Sequence, residues 1–129
     1  MKVSASAVSL NVDDVAAASA FLVDHFGFTV KMSADGFVAL TRPDVATEVV
    51  FLRRGLATLP ADQRDVHATG LILAFVVDDL EGELARLQGE GVAITMPLTV
   101  EEWGERAFQV REPNGVIIQL VDWNGPTTG

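Results

Sequence analysis

Few residues of this sequence could carry out chemistry, and most of them occur where a structural role is expected. Histidine occurs at His25 and His67, and cysteine is absent, which excludes a thiolate metal site and a cysteine nucleophile. The paired carboxylates Asp13-Asp14 and Asp78-Asp79 each precede a helical pattern, where an aspartate commonly caps the helix. No Ser-His-Asp pattern and no phosphate-binding glycine loop is found. The sequence therefore predicts no catalytic residue.

Length, composition and charge narrow the possible classes of function. The 129 residues are 49% hydrophobic, which suits one domain with a real core, and the formal charge is −9. A protein this acidic has no basic face for phosphates, so we expect no nucleic-acid partner. No apolar run is long enough to span a membrane, and no secretory signal is recognisable, so we expect a cytoplasmic protein without a membrane partner.

An internal repeat organises the whole chain. Val12-Asp13-Asp14-Val15 returns as Val77-Asp78-Asp79-Leu80, 65 residues later. Each copy follows an apolar strand-like run and begins a helical pattern. The two helical patterns end at Gly27 and Gly91, where glycine supplies the left-handed conformation that ends many helices. A strand is expected directly after each glycine, at 28–30 and at 92–94.

Two further strands complete each copy. They are expected at 37–41 and 48–52 in the first copy, and at 105–111 and 116–123 in the second. The last pair is separated by Glu112-Pro113-Asn114-Gly115, a strong turn signal. Matching the last strands letter by letter aligns 49–52 with 117–120. This α+β pattern predicts two tandem βαβββ modules in one domain: module one at 1–55, a connector at 56–69, module two at 70–124 and a tail at 125–129.

Several short motifs, in this order and spacing, carry a resemblance to a known family. The chain resembles the vicinal oxygen chelate superfamily, which includes glyoxalase I, extradiol dioxygenases, fosfomycin-resistance enzymes and bleomycin-resistance proteins. The matching motifs are Leu10-Asn11-Val12-Asp13-Asp14, Phe26-Gly27-Phe28, Val77-Asp78-Asp79-Leu80, Trp103-Gly104-Glu105-Arg106 and Glu112-Pro113-Asn114-Gly115. The resemblance implies that the modules form a curled mixed sheet, or cup, around a pocket. It also implies a homodimer, as in many small members.

The resemblance also places a possible metal site. Metal-dependent members hold a divalent ion through side chains on the first and last strands of the two modules. Carried over to this chain, the four positions are Ala7, Phe51, Ile72 and Gln119. Alanine, phenylalanine and isoleucine have no donor atom, and a lone amide is a poor ligand for such an ion. We therefore expect neither a metal nor another cofactor.

An apolar cup without a metal suits a planar or amphipathic ligand, bound by area burial and aromatic contact. Gln119 could orient such a ligand because an amide both donates and accepts hydrogen bonds. Trp103 precedes a glycine in an expected loop, and loop aromatics on a rigid scaffold are often recognition elements. The predicted ligand-binding residues are Ala7, Phe37, Val49, Phe51, Ile72, Trp103, Phe108, Gln119 and Trp123.

The resemblance, with these apolar positions, favours a metal-free binding protein. It would sequester an aromatic antibiotic or related natural product, as the bleomycin-resistance-like members do, and its partners would be that small molecule and a second copy of the chain. The alternative is an enzyme of the same superfamily. It would be a metal-dependent lyase or dioxygenase, or a metal-free isomerase in which one acid or base, such as His67 or Glu102, suffices.

Overall fold

The chain folds into two compact units of the same βαβββ type, in a computed structural model that describes residues 1–126. The first unit spans Met1–Thr69 and the second begins at Gly70. This confirms the predicted α+β fold with one mixed four-stranded sheet and one helix in each module. Residues 127–129 of the predicted tail lie outside the described residues. None of the described helices is long and apolar enough to cross a membrane.

The first unit has its sheet strands in the order β1-β4-β3-β2. Strands β1 and β4 are parallel, as a crossover through the helix requires, and the other neighbours are antiparallel. Its elements are β1 (Ser6–Val12), α1 (Val15–Phe26), β2 (Thr29–Ala34), β3 (Phe37–Arg42) and β4 (Val45–Arg53).

The second unit repeats this arrangement with the order β5-β8-β7-β6. Strands β5 and β8 form the parallel pair. Its elements are β5 (Ile72–Val76), α2 (Leu80–Gly89), β6 (Met96–Val100), β7 (Arg106–Arg111) and β8 (Ile117–Asp122).

The helix ends follow the predicted chemistry. The carboxylates of Asp14 and Asp79 each accept a hydrogen bond from the backbone N–H three residues later, at 3.0 Å. Each therefore satisfies a donor that the first turn leaves unpaired. Gly27 ends α1 at φ 68°, and Gly91 follows α2 at φ 82°, both in the left-handed region.

One strand begins later than the sequence predicts. Residues 92–94 are irregular, and β6 starts at Met96. The chain first turns back at the end of α2, where the Val92 N–H donates to the Leu87 carbonyl. Pairing with β7 begins only when the Thr95 N–H reaches the Gln109 carbonyl. Pro97 then lies in an edge strand with a register shift, a position that tolerates its missing N–H.

Each sheet buries one face beneath its helix. In the first unit α1 lies against β3 and β4. Its core includes the buried side chains of Leu10, Val12, Ala18, Leu22, Phe26, Val38, Leu40, Val49 and Phe51. In the second unit α2 packs on β8, and the buried side chains are Leu80, Leu87, Phe108, Val110, Ile118 and Leu120. We call the opposite face of each sheet its helix-free face.

Candidate functional site

The strand register decides which predicted site residues can share a face. Neighbouring residues of a strand point to opposite faces, and residues paired across strands point to the same face. Ala7 pairs with Glu48 and Ser9 with Val50, whereas Leu10, which is buried under α1, pairs with Phe51. The structure therefore places Phe51 in the core under the helix and Ala7 on the helix-free face.

Two more predicted ligand-binding residues lie in the cores. Val49 is next to Val50 in β4 and therefore points to the opposite face, the one that the helix covers. Phe108 pairs with Leu120, which is buried under α2. Both side chains are buried, and Phe108 has no exposed surface. For Phe51, Val49 and Phe108 the structure thus gives a packing role in place of the expected position on a ligand-facing wall.

The register also corrects the alignment of the two last strands. Ser9 pairs with Val50 and Ala74 with Gln119, and the first strands of the two units differ by 65 residues. Val50 is therefore the structural counterpart of Gln119, in place of Phe51. Residues 49–52 are all apolar, and 117–120 are apolar except for Gln119, so matching them by letter leaves the alignment open by one residue. A slip of one residue moves every side chain to the other face of the sheet.

Four predicted residues do lie on helix-free faces. Ala7 and Phe37 belong to the first unit, where Phe37 pairs with Leu52 on β4. Ile72 and Gln119 belong to the second unit, in phase with each other on the neighbouring strands β5 and β8. Ile72 is about half exposed, so the second unit presents an open apolar side chain beside an amide.

Both helix-free faces carry polar contacts that the sequence did not reveal. In the second unit Gln109 Nε2 donates to Gln119 Oε1 at 2.9 Å. In the first unit Lys31 and Glu48 form an ion pair at 2.5 Å. The cross-strand pairs Gln109–Gln119 and Ala7–Glu48 bring these groups to their faces, and neither pairing has a motif in the sequence.

The donor set of these faces does not fit a divalent ion. Of the first-strand positions and their β4 and β8 counterparts, Ala7, Ile72 and Val50 have no donor atom. The Gln119 amide oxygen already accepts from Gln109, and Glu48 is paired with Lys31. Within residues 1–126 no three His, Cys, Asp or Glu side chains group as metal ligands would.

The two tryptophans lie at one end of the second unit and are both more than half exposed. Trp103 precedes Gly104, whose carbonyl accepts a hydrogen bond from the Gly125 N–H at 2.9 Å. Trp123 follows β8, two residues before Gly125. This backbone contact holds the two tryptophan-bearing segments side by side.

The histidines lie in separate places. His25 is on α1, where its ring makes an edge contact with Phe21 at 5.0 Å between centroids. His67 lies in the connector, with Nδ1 3.2 Å from the Ala68 carbonyl oxygen. The two rings therefore belong to different elements, one to α1 and one to the connector.

A cluster of ion pairs lies on the helix-packed side of the second unit. Arg106 Nη2 is 2.5 Å from Asp122 Oδ2, and Arg106 also pairs with Glu81 on α2. The hydrogen bond and charge of Arg106 lower the pKa of Asp122 to about 2. The same guanidinium lowers the pKa of Glu81 below its ordinary value. This cluster ties β7, β8 and α2 together.

Comparisons with known proteins agree with this architecture. The sequence profile of the Glyoxalase/Bleomycin resistance protein/Dioxygenase superfamily matches residues 5–120. No curated protein sequence matches the chain significantly. Solved structures match over nearly the whole chain, at identities that show the fold alone.

Three of these solved structures illustrate the degree of similarity. A lactoylglutathione lyase from Agrobacterium tumefaciens has a TM-score of 0.73 and 18% identity, over 93% of this chain and 93% of that chain. A glyoxalase/bleomycin resistance protein/dioxygenase from Nocardioides has a TM-score of 0.74 and 17% identity, over 100% and 89%. A superfamily member from Sphaerobacter thermophilus has a TM-score of 0.71 and 24% identity, over 93% and 97%. With two βαβββ units and a profile match over nearly all its length, the chain belongs to the glyoxalase/bleomycin resistance protein/dioxygenase superfamily.

Proposed function

We propose that this protein is a metal-independent binding protein that sequesters an aromatic antibiotic or related natural product. The observation that carries the proposal is the chemistry of the helix-free faces. Ala7 and Ile72, on the first strands, offer no metal ligand, and Val50 offers none on β4. Ala7 and Ile72 supply apolar surface, and Val50 a buried apolar side chain, in a family whose metal-dependent members place ligands on these strands.

The amide pair of the second unit gives the proposed ligand a polar anchor. Because Gln119 Oε1 accepts from Gln109, the Gln119 amide nitrogen keeps its hydrogens for another acceptor. A quinone or amide carbonyl on an otherwise apolar ligand fits that arrangement. The ring system would lie against Ile72, which is in phase with Gln119 across β5 and β8.

Apolar contact can supply the affinity that sequestration needs. Micromolar to nanomolar binding corresponds to about 8–12 kcal/mol. A buried aromatic ligand reaches this range through about 25 cal/mol per Å² of apolar surface, provided that its polar atoms are paired. No bond in the ligand has to be made or broken.

Tryptophan fluorescence tests the proposal directly, because Trp103 and Trp123 are the only tryptophans and both belong to the second unit. The purified chain is titrated with members of the bleomycin, mitomycin and enediyne classes, with N-acetyltryptophanamide as the control for trivial quenching. We expect saturable quenching by at least one class. Quenching that stays linear and equals the control for every class contradicts the proposal.

A matched pair of variants locates the binding. Ile72→Glu puts a charge on the helix-free face of the second unit at a residue 48% exposed, and Val66→Glu puts the same charge on the connector at a residue 47% exposed. We expect Ile72→Glu to weaken binding about tenfold or more, since a buried unpaired charge is costly, and Val66→Glu to change it less than twofold. Equal effects would remove the helix-free face from the binding site.

Recovery of the ligand separates sequestration from catalysis. Sequestration predicts that mass spectrometry finds the ligand unchanged after prolonged incubation with the protein. Stoichiometric metal in protein purified without chelator, or a converted ligand, would favour the enzyme of the same superfamily instead.

A further inference from the structure

The first unit contains a groove on the side of its sheet that carries the helix. It runs between α1 and the β2–β3 hairpin and has a volume of about 660 Å³. It is lined from the helix by Val15, Ala16, Ser19, Ala20, Val23 and Asp24. Residues four apart lie on one face of a helix, so this lining forms a continuous stripe along α1.

The second unit has longer, charged side chains at the corresponding place. The N-caps Asp14 and Asp79 make Glu81 the counterpart of Ala16. In the second unit Arg106 extends from the start of β7 across to Glu81 on α2 and also pairs with Asp122. A long side chain thus spans the space between helix and sheet end.

The first unit lacks that bridge. Arg106 pairs with Asp122 in the β7–β8 ladder, and the corresponding contact in the first unit joins the Gly36 carbonyl to the Arg53 N–H at 2.9 Å. Gly36 has no side chain to extend, and Ala16 has no charge to receive one. Gly36 and Ala16 thus stand where the second unit has the ion-paired Arg106 and Glu81, and Arg53, which lies beside Gly36 and lines the groove, pairs with Asp35 instead of a residue of α1.

The carboxylates around the groove differ in whether they have an ion-pair partner. At the N-terminal end of α1, Asp35 pairs with Arg53 and Asp13 pairs with Arg54, each at 3.0 Å. Asp24 lines the other end and has no ion pair or side-chain hydrogen bond within residues 1–126. It lies in the last turn of the helix, where the helix dipole also favours a cation.

We propose that this groove is a second binding site, for a monocationic aliphatic amine. The ammonium group pairs with Asp24, and the alkyl chain lies along the valines and alanines of α1 toward Ala16. Eight residues of helix separate Ala16 from Asp24, which is about 12 Å and suits an extended chain of about eight carbons. A formal charge of −9 on the whole chain also favours a cationic ligand over an anionic one. The groove belongs to the first unit, and Phe37 is the residue that it shares with the predicted ligand-binding set.

Titration of the ¹⁵N-labelled full chain with octylammonium, followed by NMR, tests the proposal. We expect saturable shifts of amides in α1 and the β2–β3 hairpin. Octanol should bind at least about fivefold more weakly, and octanoate should not shift these amides, since a carboxylate would face Asp24. Equal binding of octanoate, or octylammonium shifts confined to other parts of the chain, would overturn the proposal.

Two matched pairs of variants separate charge from shape. Asp24→Asn should weaken octylammonium binding about fivefold or more, while Asp62→Asn, which makes the same charge change on an exposed connector residue, should leave it within twofold. Ala20→Phe fills the groove and should abolish saturable binding. Its counterpart Ala85→Phe, at the same position after the N-cap of α2, should not.

The alanines replaced by phenylalanine, Ala20 and Ala85, are both at exposed positions. Circular dichroism verifies that each variant is folded. Unchanged affinity in both Asp24→Asn and Ala20→Phe would refute the site, whatever the outcome for natural-product binding on the helix-free faces.

Discussion

Two arginine–aspartate pairs at equivalent sheet ends differ in how far water can reach them. The Asp122 side chain is 4% exposed beside Arg106, whereas the Asp35 side chain is 91% exposed beside Arg53. Both carboxyls have a lowered pKa because of the arginine hydrogen bond. Water screens the exposed pair, so its net contribution to folding should be small.

We therefore expect Asp122→Asn to lower the urea midpoint clearly at pH 7, and Asp35→Asn to leave it nearly unchanged. The pKa of Asp122 is about 2 in the folded chain against an ordinary value of 3.8. A lowered pKa stabilises the fold above about pH 4, and this stabilisation is lost as the pH falls toward 2. Urea unfolding at several pH values measures it.

The difference in midpoint between the wild type and Asp122→Asn should thus shrink between pH 4 and pH 2. A difference that stays constant over this range would show that the charge of Asp122 is not what stabilises the second unit. Asp35→Asn serves as the control for changing one aspartate in an arginine pair.

Single residues also differ in how much of their role could be predicted from the sequence. The lack of a metal-binding atom at Ala7 and Ile72 could be read directly from the sequence, because alanine and isoleucine have no donor atom in any orientation. Side-chain direction could not be read at Phe51, since the apolar run 49–52 around it has no alternation of polar and apolar residues to fix its phase. The Gln109–Gln119 hydrogen bond depends on antiparallel register, which neither residue indicates alone.

Helix α2 contains two glycines whose replacement by alanine should affect stability differently. The Gly82 N–H donates to the Asp79 carboxylate, and a Cβ built on Gly82 would lie 2.2 Å from Asp79 Oδ2. Gly89, in the last turn, would meet nothing within 4 Å. The first glycine therefore serves the cap, and the second only lowers helix propensity.

We expect Gly89→Ala to stabilise the chain by up to about 1 kcal/mol. Gly82→Ala forces the Asp79 carboxylate away from the helix end, and loss of an N-cap costs about 1 kcal/mol, which offsets any propensity gain. Thermal or urea unfolding of the two variants measures the difference. Equal stabilisation by both would mean that the Asp79 cap contributes little.

The elements as a whole were largely predictable. One aspartate of each pair caps its helix as expected, because both stand directly before a helical pattern, and the structure identifies the caps as Asp14 and Asp79. Strand β6 was placed too early because Val92 is apolar and follows a glycine, but its N–H is used to close the end of α2. The strand begins later than predicted because of hydrogen bonding at the end of the helix, which the pattern of hydrophobic residues does not indicate.

At the scale of the whole molecule, the duplication made the fold predictable and left the site open. A repeat over nearly the whole chain shows that each copy must form the same unit, so the βαβββ order followed without a template. The groove of the first unit could not be predicted from the repeat, because its prediction requires knowing that Gly36 corresponds to Arg106. That correspondence comes from strand pairing, and the two residues have no chemistry in common.

The second unit also presents an apolar edge strand. Strand β5 lies at the edge of its sheet and pairs only with β8 in that sheet, and its Val76 is 69% exposed. Exposed apolar edge strands invite pairing with another chain, and stable proteins usually cover them. We therefore expect the protein to form a homodimer that covers β5, as the family resemblance also implies.

Sedimentation of the purified chain should give about twice the 13.8 kDa chain mass. Val76→Lys should shift the equilibrium to the monomer, because lysine on an edge strand opposes pairing. Val66→Lys, which makes the same change at an exposed connector valine, should leave the dimer intact. A monomeric wild type at high concentration, or equal dissociation in both variants, would mean that β5 is not the contact and that each chain binds its ligands alone.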